Sequence, residues 1–177
     1  MDLIMTERFT KQDLEMIYSL MEKSFPSDEY RTKAATGALF DDPAYRVIGR
    51  CDGDKICAIA AMWELESFLF IEHLAVDPEM RCGGIGQSLL REAMEESELP
   101  VCLEVELPET DIARRRIGFY ERNGFFLNDY PYYQPPMAEG KSKVPLLIMT
   151  NGRRISPDEF ASLRDLLYRK VYKYKCD

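Results

Sequence analysis

The order of local patterns along the chain predicts an α/β protein built on a mixed sheet. Three observations carry that expectation: two helical periodicities come first, a run of period-two segments follows, and strands then alternate with helices. With 177 residues, 46% of them hydrophobic and 31% charged, the chain suits one folded domain and is too apolar for a disordered one.

The first helical signal starts at Thr10, which can cap a helix, with Phe9 and Leu14 at the N′ and N4 positions of a hydrophobic staple. Leu14, Ile17, Met21 and Phe25 recur at helical spacing until Pro26, and a weaker pattern runs from Asp28 to Phe40. Tyr45–Cys51 and Ile56–Trp63 read as a hairpin around Asp52-Gly53-Asp54, and Ser67–Val76 as a third strand. A glycine-rich turn leads into a helix carrying Leu89, Leu90, Ala93 and Met94, which stops before Pro100. Val101–Leu107 is the next strand, Asp111–Asn123 the next helix, and strands begin at Gly124 and run over Val144–Thr150. Ser156-Pro157-Asp158-Glu159 is a capping box with proline at the first helical position. Phe160, Leu163, Leu167, Val171 and Tyr174 then follow at intervals of three and four, giving an amphipathic terminal helix with a basic outer face.

Charge and composition exclude several functions. Lys plus Arg number 23 against 31 Asp plus Glu, a formal charge of −8, which argues against broad nucleic-acid binding. The imbalance is local: residues from Asn151 onward carry net +3 and the remainder net −11. A single histidine, His73, excludes multi-histidine metal sites, so no metal is expected. The five cysteines show no Cys-x-x-Cys spacing, the Met1–Met5 start is too short for a signal peptide, and no stretch is long enough to span a membrane. The expectation is a reduced, cytoplasmic setting without membrane association, as a monomer or homodimer.

The segment that carries chemistry is Leu74-Ala75-Val76-Asp77-Pro78, then Glu79-Met80-Arg81-Cys82-Gly83-Gly84-Ile85-Gly86-Gln87-Ser88. It is a strand, a turn, an arginine, three glycines within four positions and a helix start. Glycines let a backbone approach a ligand closely, and the free N–H groups of a helix N-terminus receive an anion. A Walker P-loop needs a lysine after Gly86 and has none; a dinucleotide fingerprint needs glycine at position 89, which is Leu89.

What fits is Arg-x-x-Gly-x-Gly preceded by Leu-Ala-Val-Asp-Pro, which resembles the acetyl-CoA-binding motif of the GNAT superfamily of N-acetyltransferases. Ile117-Gly118-Phe119-Tyr120-Glu121-Arg122-Asn123-Gly124-Phe125 resembles the same superfamily's helix ending in Phe-Tyr-x-x-x-Gly-Phe. The resemblance covers roughly residues 3–150. It implies a mostly antiparallel central sheet splayed between its fourth and fifth strands, with helices around it. A catalytic domain over 1–152 would precede a helical extension over 153–177, packed on the domain or at a dimer contact.

The resemblance also implies acetyl transfer from acetyl-CoA to a primary amine by direct attack in a ternary complex. Pantetheine would lie against the backbone of Leu74, Ala75 and Val76. The pyrophosphate would lie on Arg81, Cys82, Gly83, Gly84, Ile85 and Gly86, with Gln87 and Ser88 completing the site. Tyr120 would stand near the thioester sulfur as the acid. Glu72 matches the position of a catalytic glutamate in many relatives. Relatives often carry asparagine and alanine seven and four residues before that tyrosine; here Ala113 and Arg116 stand there, so the asparagine contact to the cofactor is either absent or replaced by an arginine of the Arg114–Arg116 run, whose plain reading is a solvated basic helix face.

The chemistry requires a base, because an alkyl ammonium must lose a proton before it attacks. Glu72 shares a strand face with Phe68, Phe70, Leu74 and Val76, where burial would raise its pKa. Glu104, Glu64 and Glu66 are the other candidates, and His73 points to the opposite face, as a core histidine. Acceptors in such proteins enter between the first two helices and the last strand pair. That places Phe25, Glu29 and Tyr30 on one side and Tyr132 and Tyr133, in a proline-stiffened aromatic stretch, on the other. The acidic body favours a cationic small amine or amino-acid-like acceptor. A protein or peptide acceptor, through its N-terminus or a lysine, and a catalytically silent CoA-binding module stand as alternatives.

Overall fold

The computed structural model describes residues 5–80 and 83–175. Seven strands and five α-helices are found among them, and they divide into two compact units. The first comprises the described residues up to Glu64 together with Ile71–Glu98; the second comprises Leu65–Phe70 and the described residues from Leu99 onward.

The first unit opens with a short strand, β1 (Thr6–Phe9), in front of the expected helix. Its four residues carry no alternation long enough to read, and pairing with β2 (Tyr45–Asp52) is what makes it a strand. Thr10 forms a reciprocal capping box with Asp13, a 3-10 turn follows, and α1 runs Leu14–Ser24 until the chain turns extended at Phe25. The second helical pattern is shorter than the expected Asp28–Phe40. Tyr30 is extended, and α2 (Lys33–Leu39) starts afresh where the Thr32 hydroxyl accepts from the Ala35 N–H.

β3 (Lys55–Glu64) pairs antiparallel with β2 through the Gly53 turn. Ile56–Trp63 are buried without interruption, which a strand shows only when both of its faces are covered; α1 and α3 (Ile85–Glu95) pack on it. Opposite β3, Gly49 is required by close approach, since a Cβ there would stand 2.1 Å from the Ala58 carbonyl oxygen. β4 (Leu69–Val76) follows, with Ile71–Val76 in this unit.

The second unit holds the start of β4, β5 (Val101–Glu106), α4 (Asp111–Arg122), β6 (Phe125–Gln134), β7 (Val144–Asn151) and α5 (Pro157–Lys170). β4 and β5 are parallel, with the Leu69 N–H donating to the Pro100 carbonyl at 2.9 Å. The other pairings described are antiparallel, and β7 lies between β5 and β6. The mixed α/β, mostly antiparallel fold expected from the sequence is thus observed.

β6 is longer than the strand start legible at Gly124, and it takes in most of the aromatic stretch expected to wall an acceptor pocket. Its register with β7 shifts between Asn128 and Tyr132, which accommodates Pro131 at an irregularity rather than within a regular ladder. Buried Asn128 consolidates that point. Its amide donates to the Thr150 hydroxyl at 2.9 Å and to the Ile148 carbonyl at 3.2 Å, and its oxygen accepts from the Ile155 N–H at 2.8 Å. Tyr130 O–H reaches the Ile155 carbonyl at 2.8 Å. These bonds deliver the chain to α5, whose capping box forms between Ser156 and Glu159. Phe160, Leu163, Leu166, Leu167 and Val171 are buried, but Tyr174 is 43% exposed. The expected stripe therefore ends at Val171, because the helix itself ends at Lys170 and Lys173 turns left-handed at φ +50.

Candidate active site

Where β4 ends at Val76, the Asp77 N–H donates to the Cys57 carbonyl at 2.7 Å and Pro78–Met80 form one 3-10 turn. Arg81 and Cys82 lie outside the described residues. α3 starts from Gly84 at φ +73, a conformation glycine takes without steric cost. A Cβ on Gly83 or Gly84 would meet nothing within 4 Å, so the backbone here is open to approach, and only Gly84 also needs glycine's conformational freedom. The N–H groups of Ile85, Gly86 and Gln87 fall in the first turn of α3, where helix geometry leaves donors without intrahelical acceptors. Ala75 is buried, with Leu74 and Val76 half-buried around it.

Ser88, expected to complete the cofactor site, lies in the first turn of α3. Its hydroxyl accepts from Arg50 Nη2 at 2.9 Å and donates to Glu92 at 3.2 Å, within a network where Arg50 meets Glu92 at 2.5 Å and the Thr6 hydroxyl also bonds Glu92. That commitment leaves the Ser88 side chain a structural part of α3's attachment to β1 and β2.

Glu72 lies in the first unit with its side chain only 2% exposed. Arg31 Nη1 donates to its Oε1 at 2.6 Å, Trp63 Nε1 to its Oε2 at 3.4 Å, and His73 Nδ1 stands 3.7 Å from Oε2. Burial pushes the Glu72 carboxyl up, as anticipated, but the Arg31 charge, His73 and the Arg31 and Trp63 hydrogen bonds outweigh it and hold it below the ordinary value. The expected upward shift is therefore corrected: the partner, invisible in the local pattern, decides the direction. His73 is 4% exposed, stacks on Phe25 at 4.8 Å between ring centres, and places Nε2 2.8 Å from the Glu29 carbonyl. Burial lowers its pKa, so the ring is neutral at pH 7. Glu72 and His73 thus pin the Phe25–Arg31 segment to β4, and Tyr30 packs edge-on against Tyr18 within the same unit.

Glu104 belongs to the second unit, on β5 opposite Ile148 of β7. The Tyr172 hydroxyl donates to its Oε1, and the buried Tyr132 hydroxyl lies beside it. Burial and the Glu104 charge push the Tyr132 phenol well above its ordinary range, so it stays protonated. Tyr132 was expected to line an acceptor pocket. It is instead 3% exposed beneath α5, with ring centres 6.2 Å from Phe160 and 5.9 Å from Tyr168. Tyr133, the next residue along the strand, is turned outward, 46% exposed, under Lys143 Nζ at 4.8 Å. Strand alternation separates the two tyrosines that the sequence grouped together.

Tyr120 is on α4, 7% exposed and wedged edge-on between Phe119 and Phe125. Burial pushes its phenol up to about 12, with Arg116 opposing, so it is a neutral donor at physiological pH. Arg116 is engaged with Glu106 at 3.2 Å and Arg114 with Asp111 at 2.5 Å, while Ala113 is buried in the helix underside. Arg31, Trp63 and Tyr172 were not foreseen as site residues. Only Tyr172 left a trace, as one of three tyrosines (Tyr168, Tyr172, Tyr174) gathered at an otherwise basic terminus.

Residues 14–125 match the model of the acetyltransferase (GNAT) family. The chain belongs to the GNAT acetyltransferase family. A solved GNAT-family structure from Bacteroides thetaiotaomicron is 32% identical, with a TM-score of 0.84 over 97% of this chain and all of that one. The Bacillus subtilis (strain 168) protein named as the acetyltransferase YjbC is 24% identical over 89% of this chain and 82% of its own length. The ribosomal-protein-S18-alanine N-acetyltransferase of Escherichia coli shares the fold at a TM-score of 0.63 and 18% identity, over 88% of this chain and 97% of that one. This GNAT protein is therefore an acetyl-CoA-dependent acetyltransferase. Among its described residues, no helix is long and apolar enough to cross a membrane.

Proposed function

We propose that this GNAT enzyme transfers the acetyl group of acetyl-CoA to the primary amine of a small cationic acceptor. One observation carries the small-acceptor reading: the aromatic stretch of β6 is covered by α5. Tyr130 and Tyr132 pack under Phe160 and Tyr168, and Tyr168 O–H donates to the Tyr133 carbonyl at 2.5 Å. A long peptide needs an exposed strand or groove to lie along; here that stretch is already occupied by the protein's own helix.

In this reading the acetyl-CoA pantetheine runs along Leu74–Val76, and its pyrophosphate meets the backbone of Gly83–Gln87. Glu104 receives the acceptor and takes one proton from its ammonium group, leaving a neutral amine. The amine nitrogen forms its bond to the thioester carbonyl carbon, the C–S bond breaks, and CoA leaves as the thiolate, while the nitrogen releases its second proton to solvent. Tyr120 acts on the sulfur as a hydrogen-bond donor. A phenol near 12 would give up its proton to a thiolate of ordinary pKa only at a cost of about 5 kcal/mol, so solvent supplies the proton of the released thiol. Glu72, neutralised by Arg31, is the anchor of the Phe25–Arg31 segment rather than the base.

Thiol release from acetyl-CoA tests this with n-butylamine, alaninamide and an alanine-initiated hexapeptide as acceptors. Turnover of the first two well above the hexapeptide is expected. Turnover of the hexapeptide alone overturns the small-acceptor reading.

A further inference from the structure

The terminal helix lies wholly outside the segment 14–125 that matches the family, and its end is fixed by backbone bonds. Val171 is buried at the helix end, and the chain then folds back on itself. The Tyr172 N–H returns to the Leu167 carbonyl at 3.1 Å and the Tyr174 N–H to the Tyr168 carbonyl at 2.8 Å. Lys173 between them is the one non-glycine residue at positive φ among the described residues. A lysine gains nothing from a left-handed conformation, which costs about 1 kcal/mol, so the surrounding contacts impose it. Its result is that Tyr172 is delivered by backbone bonds onto one oxygen of Glu104, a residue 68 positions earlier in the chain.

We propose that Tyr172 is a positioning residue, through which the segment beyond α5 orients the Glu104 carboxylate toward the acceptor amine. The inference rests on the proposed function, in which Glu104 meets the acceptor. A phenol suits the task because it donates a directed, charge-assisted bond while bringing no charge of its own. An arginine in the same place would cancel the carboxylate, as Arg31 does at Glu72. Three further contacts hold the donor's surroundings: Tyr168 packs on Tyr132, Tyr174 packs edge-on to Tyr168, and Tyr168 is tied to the β6 backbone.

The test is a double-mutant cycle on the full chain, with whichever of n-butylamine and alaninamide turns over faster as acceptor and Tyr172→Phe crossed with Glu104→Gln. Tyr172→Phe should lower kcat/KM for that amine about tenfold, the effect of losing a hydrogen bond to a charged group, and leave the KM for acetyl-CoA within about twofold. In the Glu104→Gln background the same substitution should change little, because the group it orients has been altered. A loss of equal size in both backgrounds overturns the proposal, since it marks Tyr172 as a general packing residue. An unchanged Tyr172→Phe enzyme beside an impaired Glu104→Gln enzyme also overturns it, while leaving the role of Glu104 intact. An unimpaired Glu104→Gln enzyme, or wild-type turnover of neither n-butylamine nor alaninamide, defeats the underlying functional reading instead.

Discussion

Two strand carboxylates, one in each unit, are held in opposite ways. Glu72 is gripped by a guanidinium and an indole N–H, and the partner that matters most carries a full positive charge. Glu104 is met by a phenol, and a second phenol lies beside it. The Arg31–Glu72 pair serves as a fastener because its charges cancel. A phenol fixes a carboxylate's orientation without supplying a cancelling charge. The identity of the donor, more than the depth of burial, sorts an anchor from a group suited to chemistry.

The largest effect should come from breaking the fastener. Arg31→Met leaves a buried carboxylate unmatched and should cost about 3–5 kcal/mol of stability, measured by denaturant unfolding; Arg31→Met combined with Glu72→Leu should regain most of it. If the double variant is no better than the single, the ion pair is not what holds the segment. The same region sets the acid response. His73 and Glu72 both have depressed folded pKa values, so their contributions are present above their unfolded values. The His73 contribution should fade as pH drops below about 6.5, and that of Glu72 below about 4.3. Thermal melts against pH should show the two steps, and Glu72→Gln should shrink the lower one, leaving the part that comes from Glu159, whose carboxyl Arg153 also holds low.

In the second unit, Glu104→Gln should cut kcat/KM for the acceptor by about a hundredfold, the low end for loss of a general base. Glu72→Gln, compared at a temperature where it remains folded, should fall much less. Equal losses would erase the distinction between the two carboxylates. Tyr120→Phe should lower kcat by roughly ten- to a hundredfold, the worth of one hydrogen bond to a charged sulfur. Wild-type kcat should show no fall assignable to Tyr120 ionisation until pH approaches about 12. The smallest effect belongs to the turn that carries Tyr172: Lys173→Gly should raise stability by up to about 1 kcal/mol, read from the melting temperature. A loss there would mean that the lysine side chain contributes more than its backbone costs.

Much of the fold was legible because its signals are local. The capping Thr10, the capping box at Ser156, the hairpin turn at Gly53 and the periodicity of α1, α3 and α4 each depend on residues a few positions apart. β1 was not legible, because four residues acquire strand character only from a partner some forty positions away. The β6 extension was hidden by Pro131, which reads as a breaker unless a register shift accommodates it.

The family, the mixed α/β order, and the glycine turn and tyrosine helix that mark an acetyl-CoA enzyme are legible along the chain, because those features are written in adjacent letters. Tertiary structure alone decided which carboxylate is neutralised and which is oriented by a phenol. Arg31 and Glu72 are 41 positions apart, and Glu104 and Tyr172 are 68 apart. A carboxylate's proton affinity and orientation depend on the group a few ångströms away in space, and no local pattern encodes that neighbour.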